Sequence, residues 1–261
     1  MNADVYSLDG SKKESMSLPE VFSSEYRADL VMRALLSERS ERYQPQGHYI
    51  LAGMQTTAVY VGKYDGYRRG RHMGIAMRPR QKLGGGAMGD VRRIPSSVKG
   101  KRAHPHKIEK RLLERINKRE YLKAIESAIA GCTKTDLIKK GHKVEKSLPI
   151  IVDDSIEKLK KTKDLAKALG VLGFGKDLEI SHSARPLTGR GSRSRKFRKS
   201  VLIVVKDASD VRKAGRNMAG VDVVGINNLS VEELAPGGNL RPTIWSKAAV
   251  AGIENALKER K

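Results

Sequence analysis

Apolar and polar segments follow one another along residues 149–258 in an order that predicts strands and helices in turn. Continuous apolar runs at 148–152 and 201–205 are typical of strands that are buried on both faces of a parallel sheet. Shorter apolar runs at 221–224 and 243–245 predict two more strands. Because helical patterns separate these runs, the sequence predicts an α/β fold in three layers, with a mainly parallel sheet flanked by helices.

Apolar residues spaced three or four positions apart predict the helices. The predicted helical segments are 27–42, 118–130, 155–172, 209–218 and 246–258. Asn117 and Glu120 form a capping signal at the start of the second segment, and Gly131 follows it as an expected C-terminal cap. Ser209 and Ser246 are the expected N-caps of the last two segments.

Weaker patterns predict three shorter elements. An alternating run at 3–6, followed by a turn signal, predicts a first strand, and 178–180 predicts another short strand. Residues 110–116 predict a short helix. Trp245 and Cys132 are expected to fill space in the core rather than to carry chemistry.

Residues 62–107 follow neither pattern. Nine glycines interrupt this segment, and its apolar residues show neither helical nor strand spacing. A structureless segment of this length is usually functional or disordered, because it buries too little apolar surface to offset an ordering cost of roughly 1–2 kcal/mol per residue. We therefore expect one globular domain spanning 1–261, interrupted at 45–108 by an extended arm that needs a binding partner.

Thirteen Lys or Arg lie in 62–107, opposed only by Asp65 and Asp90. With one histidine added, the predicted RNA-binding residues of the arm are Lys63, Arg68, Arg69, Arg71, Arg78, Arg80, Lys82, Arg92, Arg93, Lys99, Lys101, Arg102, His104 and Lys107. Guanidinium groups bridge phosphates through paired hydrogen bonds, and glycine lets the backbone approach nucleic acid closely. The pattern indicates a polyanionic partner; a disordered basic loop without a special role is the alternative.

The composition of the whole chain also indicates nucleic acid. Its 261 residues include 52 Lys or Arg against 29 Asp or Glu, which gives a net charge of +23. No apolar run has the length of a membrane span and the N-terminus lacks a signal-peptide core, so we expect no membrane partner. A single cysteine suits a reducing compartment. RNA is favoured because no helix-turn-helix, zinc finger or basic zipper is visible, and a chromatin-like DNA binder stays as an alternative.

A second basic loop is predicted at 183–199. Its cations, which are also predicted to bind RNA, are Arg185, Arg190, Arg193, Arg195, Lys196, Arg198 and Lys199. No acid lies among them, and cations at this density repel one another without a counter-charge. We therefore favour a second RNA contact over a merely solvated surface.

Signals for catalysis are weak. Gly84, Gly85 and Gly86 lack the strand, the helix and the Lys-Ser/Thr pair of a nucleotide-binding loop. Asp153 and Asp154 follow a predicted strand, where α/β enzymes place ligands, but capping of the next helix is the more ordinary role. This acid pair keeps one alternative function open, an α/β enzyme acting on RNA such as a nuclease or modifying enzyme. No His or Cys spacing suits a metal, so we expect no catalysis, no metal and no cofactor.

Short motifs in a fixed order make the chain resemble a known family. They read L-P-E-V-F at 18–22, R-A-D-L at 27–30, G-G-G-A-M-G at 84–89, V-K-G-K-R-A-H-P at 98–105, R-N-M-A-G at 216–220 and L-A-P-G-G at 234–238. Together they resemble protein four of the large ribosomal subunit, the universal ribosomal L-four family. The resemblance covers essentially the whole chain, and the eukaryotic C-terminal extension is not found, so the archaeal type is expected.

The resemblance implies a structural constituent of the large ribosomal subunit that binds ribosomal RNA early in assembly. The arm would reach the polypeptide exit tunnel, and half of its residues can span up to about 75 Å when extended. The tip that helps form the tunnel constriction is expected at Arg71, His72, Met73, Arg78, Pro79, Arg80, Gly84, Gly85 and Gly86. The implied partners are large-subunit ribosomal RNA, neighbouring large-subunit ribosomal proteins and the nascent polypeptide, in the cytoplasm.

Overall fold

The computed structural model of the chain describes residues 1–60, 62, 74–183, 185–186, 195–196 and 198–260. Its strands are β1 (Asn2–Tyr6), β2 (Lys12–Ser17), β3 (Arg80–Lys82), β4 (Met88–Val91), β5 (Ile150–Val152), β6 (Arg185–Pro186), β7 (Arg195–Lys196), β8 (Leu202–Val205), β9 (Asp222–Gly225) and β10 (Thr243–Ser246). Its α-helices are α1 (Ala28–Ser40), α2 (Lys118–Gly131), α3 (Thr135–Lys139), α4 (Thr162–Leu169), α5 (Gly175–His182), α6 (Val211–Gly215), α7 (Val231–Leu234) and α8 (Lys247–Glu259).

The chain forms two units. The first unit contains residues 1–42 together with 113–261, and the second unit contains residues 43–112. The segment 45–108, which the sequence predicts to be an RNA-binding arm, lies within the second unit, and its role as an arm stays a prediction.

The main sheet of the first unit has, among the described residues, six strands in the order β2-β1-β5-β10-β8-β9. The β1–β2 pair is antiparallel, and the pairs from β1 through β5, β10 and β8 to β9 are parallel. Helix α8 contacts β10 and β8, and α6 contacts β9. The predicted α/β class, with a mainly parallel sheet flanked by helices, is confirmed.

The core of the first unit is built from the continuous apolar runs of the sequence. Every residue of β5 and β8 is fully buried, because a strand in the middle of a parallel sheet packs against other elements on both faces. Trp245 of β10 lies opposite Ile151 of β5 and Val204 of β8. Its ring meets Phe22 edge to face, with 5.2 Å between ring centroids. The expected core position of Trp245 is confirmed.

The caps of the C-terminal helices depend on two serines. Ser246 Oγ accepts a hydrogen bond from the Ala249 amide at 3.1 Å, so the predicted cap of α8 is confirmed. Ser230 caps α7 in the same way through the amide of Glu233. The predicted cap Ser209 is wrong, because α6 begins at Val211.

Gly131 does not have the predicted role of a left-handed C-terminal cap. It is the last residue of α2, and Cys132 after it keeps a helical φ of −68°. A Cβ atom at Gly131 would lie 2.6 Å from Tyr26 Cδ2 and 2.7 Å from Leu240 Cδ1. The glycine therefore serves close packing instead of a turn. Asn117 precedes α2, but its side chain makes no capping hydrogen bond.

Two of the short predicted elements are wrong. Residues 178–180 lie within α5 instead of forming a strand, and residues 110–116 are not helical. Windows of three and seven residues hold too few apolar positions to distinguish a period of 2 from a period of 3.6. The N-terminal strand predicted at 3–6 is confirmed as part of β1.

The second unit contains a short hairpin that the apolar pattern of the sequence did not indicate. Strands β3 and β4 pair antiparallel, with Arg80 opposite Val91. The Leu83 amide donates to the Ala87 carbonyl at 3.2 Å across the turn, where Gly85 has a φ of +69°. The expectation that 62–107 holds no regular element is thus wrong. Strands of three and four residues are too short for alternation to appear in the sequence.

Candidate RNA interface

Exposed cations without a partner mark the second unit. The side chains of five members of the predicted set make no ion pair or hydrogen bond within the described residues, and these are Lys82, Lys99, Lys101, Arg102 and Lys107. His104 is also exposed. Groups of one sign without internal counter-charges create a positive potential that attracts polyanions. Binding to phosphates would release condensed counter-ions from the nucleic acid.

Four arginines of the predicted set bind polar groups of the second unit itself. Their acceptors are Ser96 Oγ for Arg78 at 3.4 Å, the Ala76 carbonyl for Arg80 at 3.2 Å, Asp90 for Arg92 at 3.0 Å and the Ala58 carbonyl for Arg93 at 3.3 Å. A guanidinium carries five N–H donors, so each arginine keeps donors that are not used in these contacts. The contacts restrict the side chains without neutralising three of the four charges.

A tight turn holds two of these cations in a strained backbone conformation. Arg93 and Lys99 have φ values of +70° and +59°, a region that non-glycine residues rarely adopt. A Cβ atom at Gly100 would lie 2.0 Å from the Ile94 carbonyl oxygen, and one at Gly53 would lie 2.5 Å from the Gly100 oxygen. Such strain persists where the surrounding structure fixes the backbone, and it is concentrated at functional sites. The turn therefore presents its cations from a defined backbone.

Part of the predicted set lies outside the described residues, namely Lys63, Arg68, Arg69, Arg71, His72, Met73, Arg190 and Arg193. The backbone of Arg185, Arg195 and Lys196 is described: β6 and β7 pair antiparallel, with Arg185 opposite Lys196. The RNA contacts of the whole set, and the place of Pro79 and Gly84–Gly86 at a tunnel, stay predictions.

Arg198 of the second basic loop binds a buried acid. Its Nη2 lies 3.0 Å from Oδ1 of Asp177, which is fully buried on α5. Asp177 also accepts hydrogen bonds from Ser200 Oγ and from the Lys143 amide, and its Oδ2 lies 3.0 Å from His142 Nδ1. Burial favours the neutral acid, but the hydrogen bonds from His142, Ser200 and the Lys143 amide and the electrostatic attraction of His142 together outweigh burial and hold the pKa of Asp177 below its usual range.

Lys199 binds a second acid, Asp222 on β9. Its Nζ lies 2.8 Å from Asp222 Oδ1, and the buried Arg241 lies 2.6 Å from the other carboxylate oxygen. Burial of Asp222 works against ionisation, yet the charge of Arg241 and the bond from Lys199 lower the pKa of Asp222. The two cations that end the second basic loop are therefore each paired with an acid of the first unit.

Sequence reasoning missed this pairing for a physical reason. The partners of Asp177 come from 142–143 and 198–200, and no local pattern connects segments so far apart in the chain. One signal was available, because an acid among the apolar positions of a helix is rare unless it is paired. Asp177 is such an acid on α5, next to the buried Leu178.

The cluster around Asp177 contains Ser, His and Asp but lacks the geometry of a nucleophilic triad. Ser200 Oγ donates to Asp177, and His142 Nδ1 contacts the same carboxylate oxygen. A catalytic serine instead donates to the imidazole, which acts as its base. Ser200 is also fully buried, so the arrangement is structural.

The acid pair at the carboxyl end of β5 is used for capping. Asp153 Oδ1 accepts from the Asp154 amide at 2.9 Å, and Asp154 Oδ1 accepts from the Ala248 amide at the start of α8 at 2.8 Å. Asp153 also pairs with Lys13, and this hydrogen bond holds the pKa of Asp153 below its usual value. The predicted capping role of Asp153 is confirmed.

Other candidate chemistry is limited. Cys132 is buried, and burial raises the pKa of its thiol to about 12, so at neutral pH it is an unreactive core side chain. The described residues contain no group of three or more His, Cys, Asp or Glu placed to hold a metal ion. None of the helices in the described chain combines the length and apolar character that a membrane span requires.

Comparison with known proteins gives a consistent result. The model of the ribosomal protein L4/L1 family matches residues 16–256. The chain is 42% identical over 268 residues to the large ribosomal subunit protein uL4 of Methanococcus vannielii, covering 100% of both chains. It is 41% identical over 267 residues to the uL4 of Methanocaldococcus jannaschii, covering 100% of this chain and 99% of the relative.

The expected resemblance, including the archaeal type, is confirmed by these archaeal relatives. The uL4 of Methanoculleus marisnigri is a third such relative, 41% identical over 97% of this chain and 99% of its own length. The family match covers both the first unit, with its buried α/β core, and the second unit, with its unpaired cations. Sequence motifs, fold and relatives agree that the chain belongs to the ribosomal protein L4/L1 family.

Proposed function

We propose that the chain is a structural constituent of the large ribosomal subunit and binds ribosomal RNA through the cations of its second unit. One observation carries the proposal. Lys82, Lys99, Lys101, Arg102 and Lys107 are exposed and have no counter-charge among the described residues. Among the described residues of the second unit, Asp90 is the acid found in an ion pair, and its partner is Arg92. RNA phosphates supply the missing negative charge.

The mode of binding follows from the shape of the cationic segments. The described cations of the second unit lie at or near two turns, the strained turn at 93–100 and the turn at Gly84–Gly86. They do not lie on an α-helix of the kind that enters a groove of nucleic acid. Such segments contact phosphates and sugars, which fix position on the RNA, in preference to base edges. Recognition would therefore depend on the shape of the RNA, with a steep dependence on salt.

The finer part of the proposal concerns the polypeptide exit tunnel. The family resemblance supports an arm at 45–108 that reaches the tunnel, with a tip near Pro79 and Gly84–Gly86 that helps form the constriction. The partners would be large-subunit ribosomal RNA, neighbouring ribosomal proteins and the nascent polypeptide, in the cytoplasmic ribosome. The names of the relatives, large ribosomal subunit protein uL4, support the assembly.

The proposed role is structural rather than catalytic. The acid pair that kept an RNA-acting enzyme open, Asp153 and Asp154, is engaged by Lys13 and by two backbone amides. Metal-dependent nucleases need carboxylate oxygens that are free to bind the ion. The capping contacts therefore support the structural role over the enzymatic alternative.

Sedimentation of a native lysate through sucrose gradients tests the proposal, with the protein followed by mass spectrometry through a salt series. We expect the protein to stay with the large subunit through high salt, because an arm enclosed by folded RNA cannot leave until the surrounding RNA opens. Release at low salt would contradict the enclosed arm. Sedimentation free of ribosomes would contradict the place of the protein in the large subunit. It would favour the alternatives, an enzyme acting on RNA or a protein that binds duplex DNA.

A further inference from the structure

Two successive cations at the end of the second basic loop are held by acids on different elements. Arg198 binds Asp177 on α5, and Lys199 binds Asp222 on β9. Both acids make further contacts: Asp177 with His142 and Asp222 with Arg241. A carboxylate that is held by several donors has a fixed position, so the chain at 198–199 is fixed as well.

The contact between Arg198 and Asp177 closes the base of the loop. Helix α5 ends at His182, just before the loop begins, and Asp177 lies in the same helix. Arg198 returns to α5 and also donates to the Gly141 carbonyl. Ser200 then continues into β8, with its amide 2.7 Å from the Gly220 carbonyl. The loop therefore leaves α5 and is tied back to α5 before the chain enters the core.

A short ribbon lies between these two ends. Strands β6 and β7 pair antiparallel, with Arg185 opposite Lys196 and Pro186 opposite Arg195. Three of the four paired residues are cations. A two-stranded ribbon this short has little stability of its own, so its position depends on what holds its ends.

We propose that Asp177 and Asp222 are positioning residues for RNA binding, which anchor Arg198 and Lys199 and so fix the position of the β6–β7 ribbon, whose sequence carries three cations, for binding to RNA. This inference rests on the proposed function. In this proposal Arg198 and Lys199 hold the end of the loop in place. Their charge alone predicts instead that they bind phosphates. Holding both ends of the loop lowers the conformational entropy of the free protein. Less entropy is then lost on binding, so the affinity for RNA rises without an added contact.

The direction in which one substitution changes RNA affinity distinguishes a positioning role from a purely electrostatic one. Asp177→Asn removes a negative charge, so charge alone predicts equal or tighter RNA binding. Loss of the anchor predicts weaker binding, because Arg198 loses its charged partner. Asp222→Asn has the same two predictions. Glu179→Gln on the same helix is a matched control, because Glu179 is exposed and makes none of the anchor contacts.

The experiment measures binding of the full chain to protein-free large-subunit ribosomal RNA from an archaeon, with an unrelated structured RNA of equal length for comparison. We expect Asp177→Asn to weaken binding to the ribosomal RNA roughly tenfold, and Glu179→Gln to leave it equal or slightly tighter. Circular dichroism and thermal unfolding establish that each variant is folded. Equal or tighter binding by folded Asp177→Asn would overturn the inference.

A second variant covers the case in which Asp177→Asn does not fold. Arg198→Lys keeps the charge, but its ammonium ends one bond short of the position of Arg198 Nη2, the atom that contacts both Asp177 and the Gly141 carbonyl. We expect weaker binding at unchanged net charge, whereas Lys176→Arg on the exposed side of α5 should bind like the unsubstituted chain. Unchanged binding by Arg198→Lys would overturn the inference.

Failure of the inference and failure of the proposed function give different results. If the unsubstituted chain binds ribosomal RNA no better than the unrelated RNA, the proposed function is overturned, and the inference falls with it. If the unsubstituted chain prefers ribosomal RNA and the anchor variants bind equally well, the positioning role alone is overturned.

Discussion

The two units of the chain differ in whether their charged side chains are paired with one another. In the first unit, acids pair with cations and several of the partners are buried, as at Asp177 and Arg241. In the second unit, Asp90 with Arg92 is the ion pair found among the described residues, and most cations face water. The first unit gains its stability from its own contacts. The second unit has its charges available for a partner.

The same contrast appears in apolar burial. The core of the first unit contains fully buried strands, and each fully buried large side chain contributes about 1.5–3 kcal/mol. Among the described residues of the second unit, Ala58 is the buried apolar side chain. Because so little apolar surface is buried there, internal contacts alone do not stabilise the second unit. The core of the first unit therefore accounts for its folding, whereas the binding role of the second unit rests on the function proposed above.

The largest effect is expected from Trp245→Ala in the core of the first unit. Removing this fully buried ring leaves a cavity beside Phe22, and the free energy of unfolding should fall by about 3–5 kcal/mol. Denaturant unfolding followed by circular dichroism measures the change. Leu83→Ala in the second unit is the control, because Leu83 is 54% exposed and should change the free energy little. Similar losses in both variants would contradict the difference in apolar burial between the two units.

The next effect concerns the unpaired cations. Changing Lys99, Lys101 and Arg102 to Gln together should reduce the slope of log affinity for ribosomal RNA against log salt. The expected reduction is roughly 0.7–0.9 for each phosphate that the variant no longer neutralises, and so about 2–3 in total for three cations. Filter binding through a salt series measures the slope.

A matched variant removes three exposed lysines of the first unit, Lys158, Lys161 and Lys163, and thus the same charge. We expect a smaller change in slope for this variant. Equal slopes for the two triple variants would show that net charge alone determines binding and that the second unit has no special part.

A smaller effect is expected from Gly100→Ala in the strained turn. The added Cβ would lie 2.0 Å from the Ile94 carbonyl oxygen, so the turn must open and the local opening free energy should fall by about 1–2 kcal/mol. Hydrogen exchange of the Gly100 amide, which donates to the Ser97 carbonyl at 3.0 Å, measures this opening. Gly84→Ala is the control, because a Cβ there meets nothing within 4 Å. Equal exchange in both variants would mean that the turn is not held by this contact.

The contrast between the units also explains what the sequence could predict. Continuous apolar runs identify β5 and β8 because a strand that is buried on both faces needs apolar side chains at successive positions. Ser246 identifies the start of α8 because a helix N-terminus needs a nearby acceptor. The anchor of Arg198 on Asp177 could not be predicted, since the same arginine in the same basic run would look identical if it were free. Local patterns report periodicity and charge, whereas pairing depends on contacts between distant segments.

The smallest effect is expected from Glu233, which differs from the paired acids of the first unit. Glu233 is adjacent to the network of Arg241 and Asp222, but its buried Oε2 has no hydrogen-bond partner in the described structure. Burial raises the pKa of Glu233 above its ordinary 4.5, so the ionised form costs stability at neutral pH. Glu233→Gln should therefore raise the free energy of unfolding at pH 7 by about 1 kcal/mol.

The dependence on pH fixes the cause of this gain. Because the folded pKa of Glu233 is raised, the cost of its charge is complete above the folded pKa and disappears as the pH falls through that value towards 4.5. The advantage of Glu233→Gln should therefore vanish in the same range when denaturant unfolding is repeated at lower pH. Glu232→Gln should have the opposite sign at pH 7, because Glu232 pairs with Arg39 and Arg42. A gain from Glu233→Gln that persisted below pH 4.5 would mean that packing, and not the unpaired charge, distinguishes this residue from its paired neighbours.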